Sequence, residues 1–131
     1  MKRVGQLLAI FLLLSSALLI ITDAYASDKV FFTSVDNLTT ATIYTVPAGK
    51  KFILGSVVIG NYNANPVCCA RMFRVTSTET KEIFYVAVPA NGYFDHVFKN
   101  VVFQEGDDIQ VRNGASSGII NFTVTGSLVI K

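Results

Sequence analysis

Apolar and polar side chains alternate along residues 119–130 (IINFTVTGSLVI). Ile120, Phe122, Val124, Gly126, Leu128 and Ile130 fall on one face, and Asn121, Thr123, Thr125 and Ser127 on the other. A period of two marks a β-strand with one buried and one polar face. Burying Phe122 or Leu128 contributes about 1.5–3 kcal/mol each. A one-residue slip would turn the whole apolar set to solvent, so the register is strongly specified. Other β-rich runs precede it: residues 30–35 (VFFTSV), 42–46 (TIYTV), 51–61 (KFILGSVVIGN), 67–77, 82–88 (EIFYVAV), 93–98, 101–103 and 108–112 (DIQVR). The run 51–61 is apolar on both alternating faces, which predicts a central strand. Turn chemistry separates the runs: Pro47-Ala48-Gly49, the loop 62–66 (YNANP), residues 78–81, Pro89-Ala90-Asn91-Gly92 and Glu105-Gly106-Asp107. No helical period occurs after residue 26. The pattern predicts an all-β fold, an antiparallel sandwich of eight or nine strands in two packed sheets.

The N-terminus follows a different pattern. Lys2 and Arg3 precede an apolar run over residues 7–21, broken only by Ser15 and Ser16, and Ala24-Tyr25-Ala26 follows. A basic head, an apolar run and a small-x-small site form the layout of a secretory signal peptide, with cleavage expected after Ala26. The alternative is an uncleaved hydrophobic helix over residues 4–21 acting as a membrane anchor. Either way residues 27–131 form one domain of 105 residues, large enough for a single core. Without residues 1–26 the eleven basic and nine acidic residues become nine and eight, because Lys2, Arg3 and Asp23 are lost. A balance near +1 gives no electrostatic case for nucleic acid, and Lys50-Lys51 is a solvated pair beside a turn.

Reactive residue types are sparse. Cys68 and Cys69 are adjacent, and strand neighbours point to opposite faces. The plain expectation is one buried and one outward thiol, since a mutual bond needs a non-strand backbone. The sharper expectation is an inter-subunit disulfide in an oxidising compartment. Two cysteines and one histidine fall short of a structural zinc site. Gly114-Ala115-Ser116-Ser117-Gly118 fits G-x-S-x-G, but it joins two strands and no helix follows. The only histidine, His96, lies in a strand-like run, so a hydrolase is not expected. Glu105, Asp107 and Asp108 could contribute oxygens to Ca2+, although their spacing is not that of an EF-hand and a polar turn is the simpler reading. Asn37-Leu38-Thr39 and Asn121-Phe122-Thr123 fit the N-glycosylation acceptor pattern. Tyr62, Tyr85 and Tyr93 could stack on sugars or simply pack on the sheets. No cofactor is expected.

Thr42-Ile43-Tyr44-Thr45-Val46-Pro47-Ala48-Gly49, then Asn61, Val88-Pro89-Ala90-Asn91, Gly106-Asp107-Asp108-Ile109 and residues 122–130 occur in an order that resembles a small jelly-roll domain of tailed-bacteriophage fibre and other virion-surface proteins. The resemblance spans most of residues 30–131 and rests on turn chemistry. It implies a jelly-roll sandwich without catalytic residues, used as a structural or surface-binding module and often trimeric. The leader is a departure, because virion-assembled fibre domains do not usually carry one. It favours use outside the cell or in a membrane-containing virus.

Two functions are therefore expected. The first is an exported, non-enzymatic structural subunit that self-assembles into an extracellular filament or virion-surface layer. Its assembly strand would be residues 30–35 (Val30, Phe31, Phe32 and Val35), lent to a neighbour on a six-residue tether over residues 36–41. The second is a secreted or anchored module that recognises a glycan or cell-surface receptor through the loops 62–66 and 113–118, with Tyr62, Asn63, Asn65, Asn113 and Ser116 as contacts.

Overall fold

A computed structural model describes residues 26–131, so the expected leader and hydrophobic helix lie outside the described residues except for Ala26. The chain forms β1 (Ser27–Val35), β2 (Thr40–Thr45), β3 (Lys50–Asn61), β4 (Val67–Val75), β5 (Thr80–Val88), β6 (Gly92–Val97), β7 (Val102–Phe103), β8 (Asp108–Asn113) and β9 (Ile120–Ile130). One sheet runs β1-β9-β3-β6 with β7 added beside β3, and the other runs β2-β8-β4-β5. Every pairing is antiparallel. Consecutive strands alternate between sheets, except at the β4–β5 and β6–β7 steps, and this winding is that of a double-sheet jelly roll.

The expected runs correspond to the strands, with ends shifted by a few residues. β1 starts three residues earlier than the run 30–35, and β4 ends at Val75, where Thr76 accepts the backbone N–H groups of Thr78 and Glu79 in a side-chain turn. β3 is central, lying between β9 and the β6–β7 pair. Its buried positions are Phe52 and Leu54, then Val57, Ile59 and Asn61. The phase changes because a bulge between Leu54 and Ser56 inserts Gly55 without a partner on β9. Ile53 and Val58 consequently face outward, each more than a third exposed.

The core is apolar and closed by aromatic contacts between the sheets. Phe31 of β1 stacks on Tyr44 of β2 at 4.4 Å, and both meet the edge of Phe52 at 5.8 and 5.9 Å. On β9, Ile120, Phe122, Val124 and Leu128 are buried as expected. Ile130 is not: it is half exposed, because β9 continues past the core to pair with Lys50 at the sheet end. Gly126 keeps the apolar phase for a steric reason. A Cβ there would overlap the tip of the Phe52 ring and the Ile53 carbonyl oxygen, so the missing side chain makes room for both.

The turns that carry the viral resemblance clasp the ends of the sandwich. Lys50 N–H donates to Pro47 O, with Gly49 at a φ of 73° that suits glycine. Val46 N–H donates to Asp107 O while Gly106 N–H donates to Val46 O, which joins the Val46-Pro47 corner to the Gly106-Asp107 turn. At the opposite end Asn61 bonds the Val88-Pro89 corner. Motifs far apart in sequence are thus direct partners.

Candidate functional site

The loop end is built around two buried asparagines. Asn61 closes β3 with no exposed surface, and its amide donates to the carbonyls of Asn65 at 3.0 Å, Pro89 at 3.0 Å and Val88 at 3.3 Å. Its Oδ1 accepts from the backbone and side chain of Asn63, at 3.0 and 2.7 Å. Asn113, equally buried at the end of β8, donates to Val35 O and Gly118 O and accepts Ala115 N–H. Asn63 extends the network to Ile119 O at 2.9 Å. Buried amides require such satisfaction, and here it ties the loops 62–66, 89–91 and 114–119 into one surface.

Of the expected loop contacts, Asn113 is therefore corrected: it is a buried fastener, out of reach of a ligand. Asn63 is half-buried and mainly structural, whereas Asn65 and Ser116 are exposed. They border a shallow cleft of about 250 Å³ lined by Asn63, Asn65, Pro66, Cys68, Ser116 and Ser117, among others. Tyr62 is exposed but lies over Gly60 on the sheet face. The buried role of Asn61 was missed, although its place at the end of an apolar strand, just before a turn, was the available signal.

The cysteine pair departs from strand geometry. Cys69 has a φ of 74°, in the left-handed region, where a residue with a Cβ costs about 1–3 kcal/mol. The β4–β5 register jumps between Val67 and Ala70 at the same place. This bulge cancels the strand alternation, and the two sulfurs lie on one side, 2.6 Å apart. The expected buried thiol is thus absent: Cys68 is exposed and Cys69 half-buried. Tyr85 OH is 3.4 Å from Cys69 Sγ, and the Arg71 guanidinium lies over the Tyr85 ring at 5.1 Å. The contact with Cys68, then Tyr85 and Arg71, lower the pKa of the Cys69 thiol from its ordinary value, while the contact with Cys69 raises that of Cys68.

β1 forms one edge of the larger sheet, pairing only with β9 among the described residues. Of the four expected assembly residues, Phe31 is half-buried against Tyr44 and Phe52, and Val35 is buried in this chain's own core. Val30 and Phe32 point outward, 68% and 67% exposed. They head cross-strand rows on the outer face. Val30 aligns with Thr125, Ser56 and Val97, and Phe32 with Thr123, Val58 and Asp95. The next row is Ser34, Asn121, Gly60 and Tyr93. Val97 and Tyr93 are strongly exposed too. The expected six-residue tether is shorter, because Thr40 and Ala41 belong to β2. The remaining connection closes as a turn, with Thr39 N–H and Oγ1 both donating to Asp36 O.

The remaining candidates stay apart. Ser116 sits at the loop end, its carbonyl accepting from Asn37, while His96 stacks on Phe84 and meets Phe98 edge-on at 4.7 Å. The three carboxylates have separate partners. Asp107 is buried, accepting from Arg74 Nε at 2.7 Å and Gln104 N–H at 2.6 Å. Asp108 accepts from Thr45, and Glu105 from Gly49 N–H. They do not converge on a Ca2+ position, and no metal-binding cluster occurs among the described residues. Asn37 is exposed in its loop; Asn121 is half-buried on the outer sheet face, accepting from Ser34 Oγ at 2.6 Å.

No family model matches this chain, and no curated protein matches it either. Solved structures do match. PirA, known from a crystal structure, is 16% identical with a TM-score of 0.50, over 76% of this chain and 96% of its own. A chain of the acid-stable capsid structure of Helicobacter pylori bacteriophage KHP30 is 10% identical with a TM-score of 0.50, over 80% of this chain and 90% of its own. What is shared is the fold. At such identity the likeness reaches no further, so the functional argument rests on this chain's own surfaces.

Proposed function

We propose that this chain is a non-enzymatic structural subunit, exported from the cell, that self-associates into an extracellular filament or a virion-surface layer through β1 and the outer face of the larger sheet. The observation that carries this reading is the pair Val30 and Phe32, about two-thirds exposed on an edge strand whose outer backbone has no partner among the described residues. Unpaired edges are ordinarily blunted by charge, proline or a bulge. β1 carries Asp28 and Lys29 only at its start, and the segment VFFTSV beyond them is uncharged and β-prone. Behind it the outer face offers Val58, Val97 and Tyr93 among threonines, with Asp95 as the charge on the β6 side, a largely apolar surface of the kind that marks association sites. The use of the same fold in a phage capsid fits this role, and the secretory leader expected over residues 1–26 supplies the route out.

Edge contact is favoured over donation of β1, because the turn at Asp36–Thr39 would have to open for the strand to leave its own β9. The test is Val30→Lys combined with Phe32→Lys, which alters only outward side chains. Wild-type protein should form assemblies in size-exclusion chromatography with light scattering and in negative stain, and the double variant should be a folded monomer. Monomeric wild type at high concentration, or unchanged assembly of the variant, would overturn the proposal.

A second reading is favoured by the cleft between the loops 62–66 and 114–119, bordered by the side chains of Asn65, Ser116 and Ser117. In it the domain binds a glycan or receptor. A glycan array with Asn65→Ala and Tyr62→Ala as controls tests it. Binding by a monomer that loses signal in Asn65→Ala supports this reading over assembly.

A further inference from the structure

We infer that Cys68 and Cys69 constitute a redox clasp, which closes into a disulfide between adjacent residues within one chain at the rim of the loop-end cleft. Adjacent cysteines in regular strand cannot meet, since their side chains diverge. Here the backbone is already bent for closure. Cys69 is held at a φ of 74° inside the β4 bulge, and the two sulfurs lie 2.6 Å apart, closer than unbonded sulfurs ordinarily pack. The bend is imposed from outside the pair. Cys69 O accepts Gly114 N–H at 3.2 Å, and a Cβ on Gly114 would lie 2.7 Å from Cys69 Cβ. Gly114 therefore both anchors the bulge and lets the two segments approach. These are the only cysteines in the chain, so no other thiol of the same chain competes.

The oxidant is a small disulfide, R–S–S–R. Cys69 attacks first, because the contact with Cys68, then Tyr85 and the Arg71 charge lower the pKa of its thiol from the ordinary value while that of Cys68 is raised, which favours the thiolate on Cys69. The Cys69 thiolate forms an S–S bond with one sulfur of the oxidant and releases R–S−. Cys68 then gives its proton to solvent, and its thiolate attacks the Cys69 sulfur, forming the Cys68–Cys69 bond and expelling the second R–S−. The two protein thiols lose two electrons and two protons, and the oxidant leaves as two R–SH. Closure locks the bulge, and with it Gly114 and the rim where Cys68 faces Ser116 and Ser117 across the cleft.

The test uses purified protein with oxidised glutathione as the probe, followed by intact mass and non-reducing electrophoresis. A transient glutathione adduct should give way to a single-chain species lighter than the reduced protein by two hydrogens. That loss should map to the tryptic peptide spanning residues 52–71, which contains both cysteines. Cys68→Ser should halt at a stable adduct on Cys69. Cys69→Ser should form its adduct at least several-fold more slowly. Gly114→Ala should slow the second step relative to the first, and circular dichroism establishes that each variant is folded. Three results would overturn the inference: a covalent dimer linked through these cysteines, two adducts persisting on one folded chain, or no reaction with folded protein.

Discussion

Replacing Asn61 tests whether the loop end is held by one buried amide. The side chain has two N–H donors shared among three carbonyls, and its oxygen accepts from both donors of Asn63, all without exposed surface. Each satisfied bond contributes a net of about 0.5–1.5 kcal/mol, and each buried group left orphaned costs about 1–3 kcal/mol. Water can reach some of the partners once the side chain is gone, so Asn61→Ala should cost about 2–5 kcal/mol. Against a stability of about 5–15 kcal/mol for a domain of this size, that is a large fraction. Tm should fall by about 10–25 °C. The chain has no tryptophan, so far-UV circular dichroism in urea is the assay. Asn61→Asp separates hydrogen bonding from volume, because the carboxylate keeps the shape but cannot donate to the carbonyls of Val88 and Pro89. The folded state should favour the protonated acid, raising its pKa above the unfolded value of about 3.9. Stability relative to wild type is then greatest below that value and is lost as pH rises through the folded pKa. A loss under about 1 kcal/mol for the alanine variant, or a pH-independent deficit for the aspartate variant, would refute the reasoning.

Gly126→Ala should destabilise by about 1–3 kcal/mol through overpacking against both the Phe52 ring and the Ile53 carbonyl, and Phe52→Leu in the same chain should recover only the ring's share in thermal melts. Asp107→Asn should cost about 1–3 kcal/mol, because the buried carboxylate holds both Arg74 and the Gln104 N–H; an unchanged urea midpoint would contradict that role. Millimolar Ca2+ should leave Tm unchanged, since Glu105, Asp107 and Asp108 have separate partners; a rise that saturates with Ca2+ would show a site. N-terminal sequencing of secreted material should begin at Ser27, where β1 begins; a start upstream of residue 22 would point to a retained anchor instead.

The sandwich was legible because its strands alternate and its turns carry proline, glycine and asparagine, both local signals. The phase change in β3 was not, because the bulge at Gly55 is set by the partner strand β9. The thiol pair was misjudged for a related reason. Alternation holds only for regular strand, and nothing local in Pro66-Val67-Cys68-Cys69-Ala70 announces that Gly114 will fix Cys69 at a positive φ. Among the loop residues, exposed and buried asparagines share the same turn chemistry. Asn65 and Asn113 therefore read alike in sequence and differ in space. On β1 the alternation was readable, and it divides the expected strand into inward Phe31 and Val35 and outward Val30 and Phe32.

The three buried polar side chains among the described residues are Asn61, Asp107 and Asn113; the two asparagines end β3 and β8, and Asp107 lies in the turn just before β8. Asn61 reaches from β3 in the larger sheet to the end of β5 in the smaller one, and Asn113 reaches from β8 back to the end of β1. The interior between them is apolar, so burial favours compactness there without choosing which connection meets which. The polar fasteners make that choice, since a different winding would leave each of them buried without partners. The fold is thereby specified by its core and its ends, and the outer face of the larger sheet carries none of that burden. Val30, Phe32 and Val97, each about two-thirds exposed, gain little for the isolated domain by being apolar in water. In the proposed assembly a second copy covers them, so substitutions at Val30, Phe32 and Val97 should change association and leave the unfolding midpoint of the monomer nearly where it was.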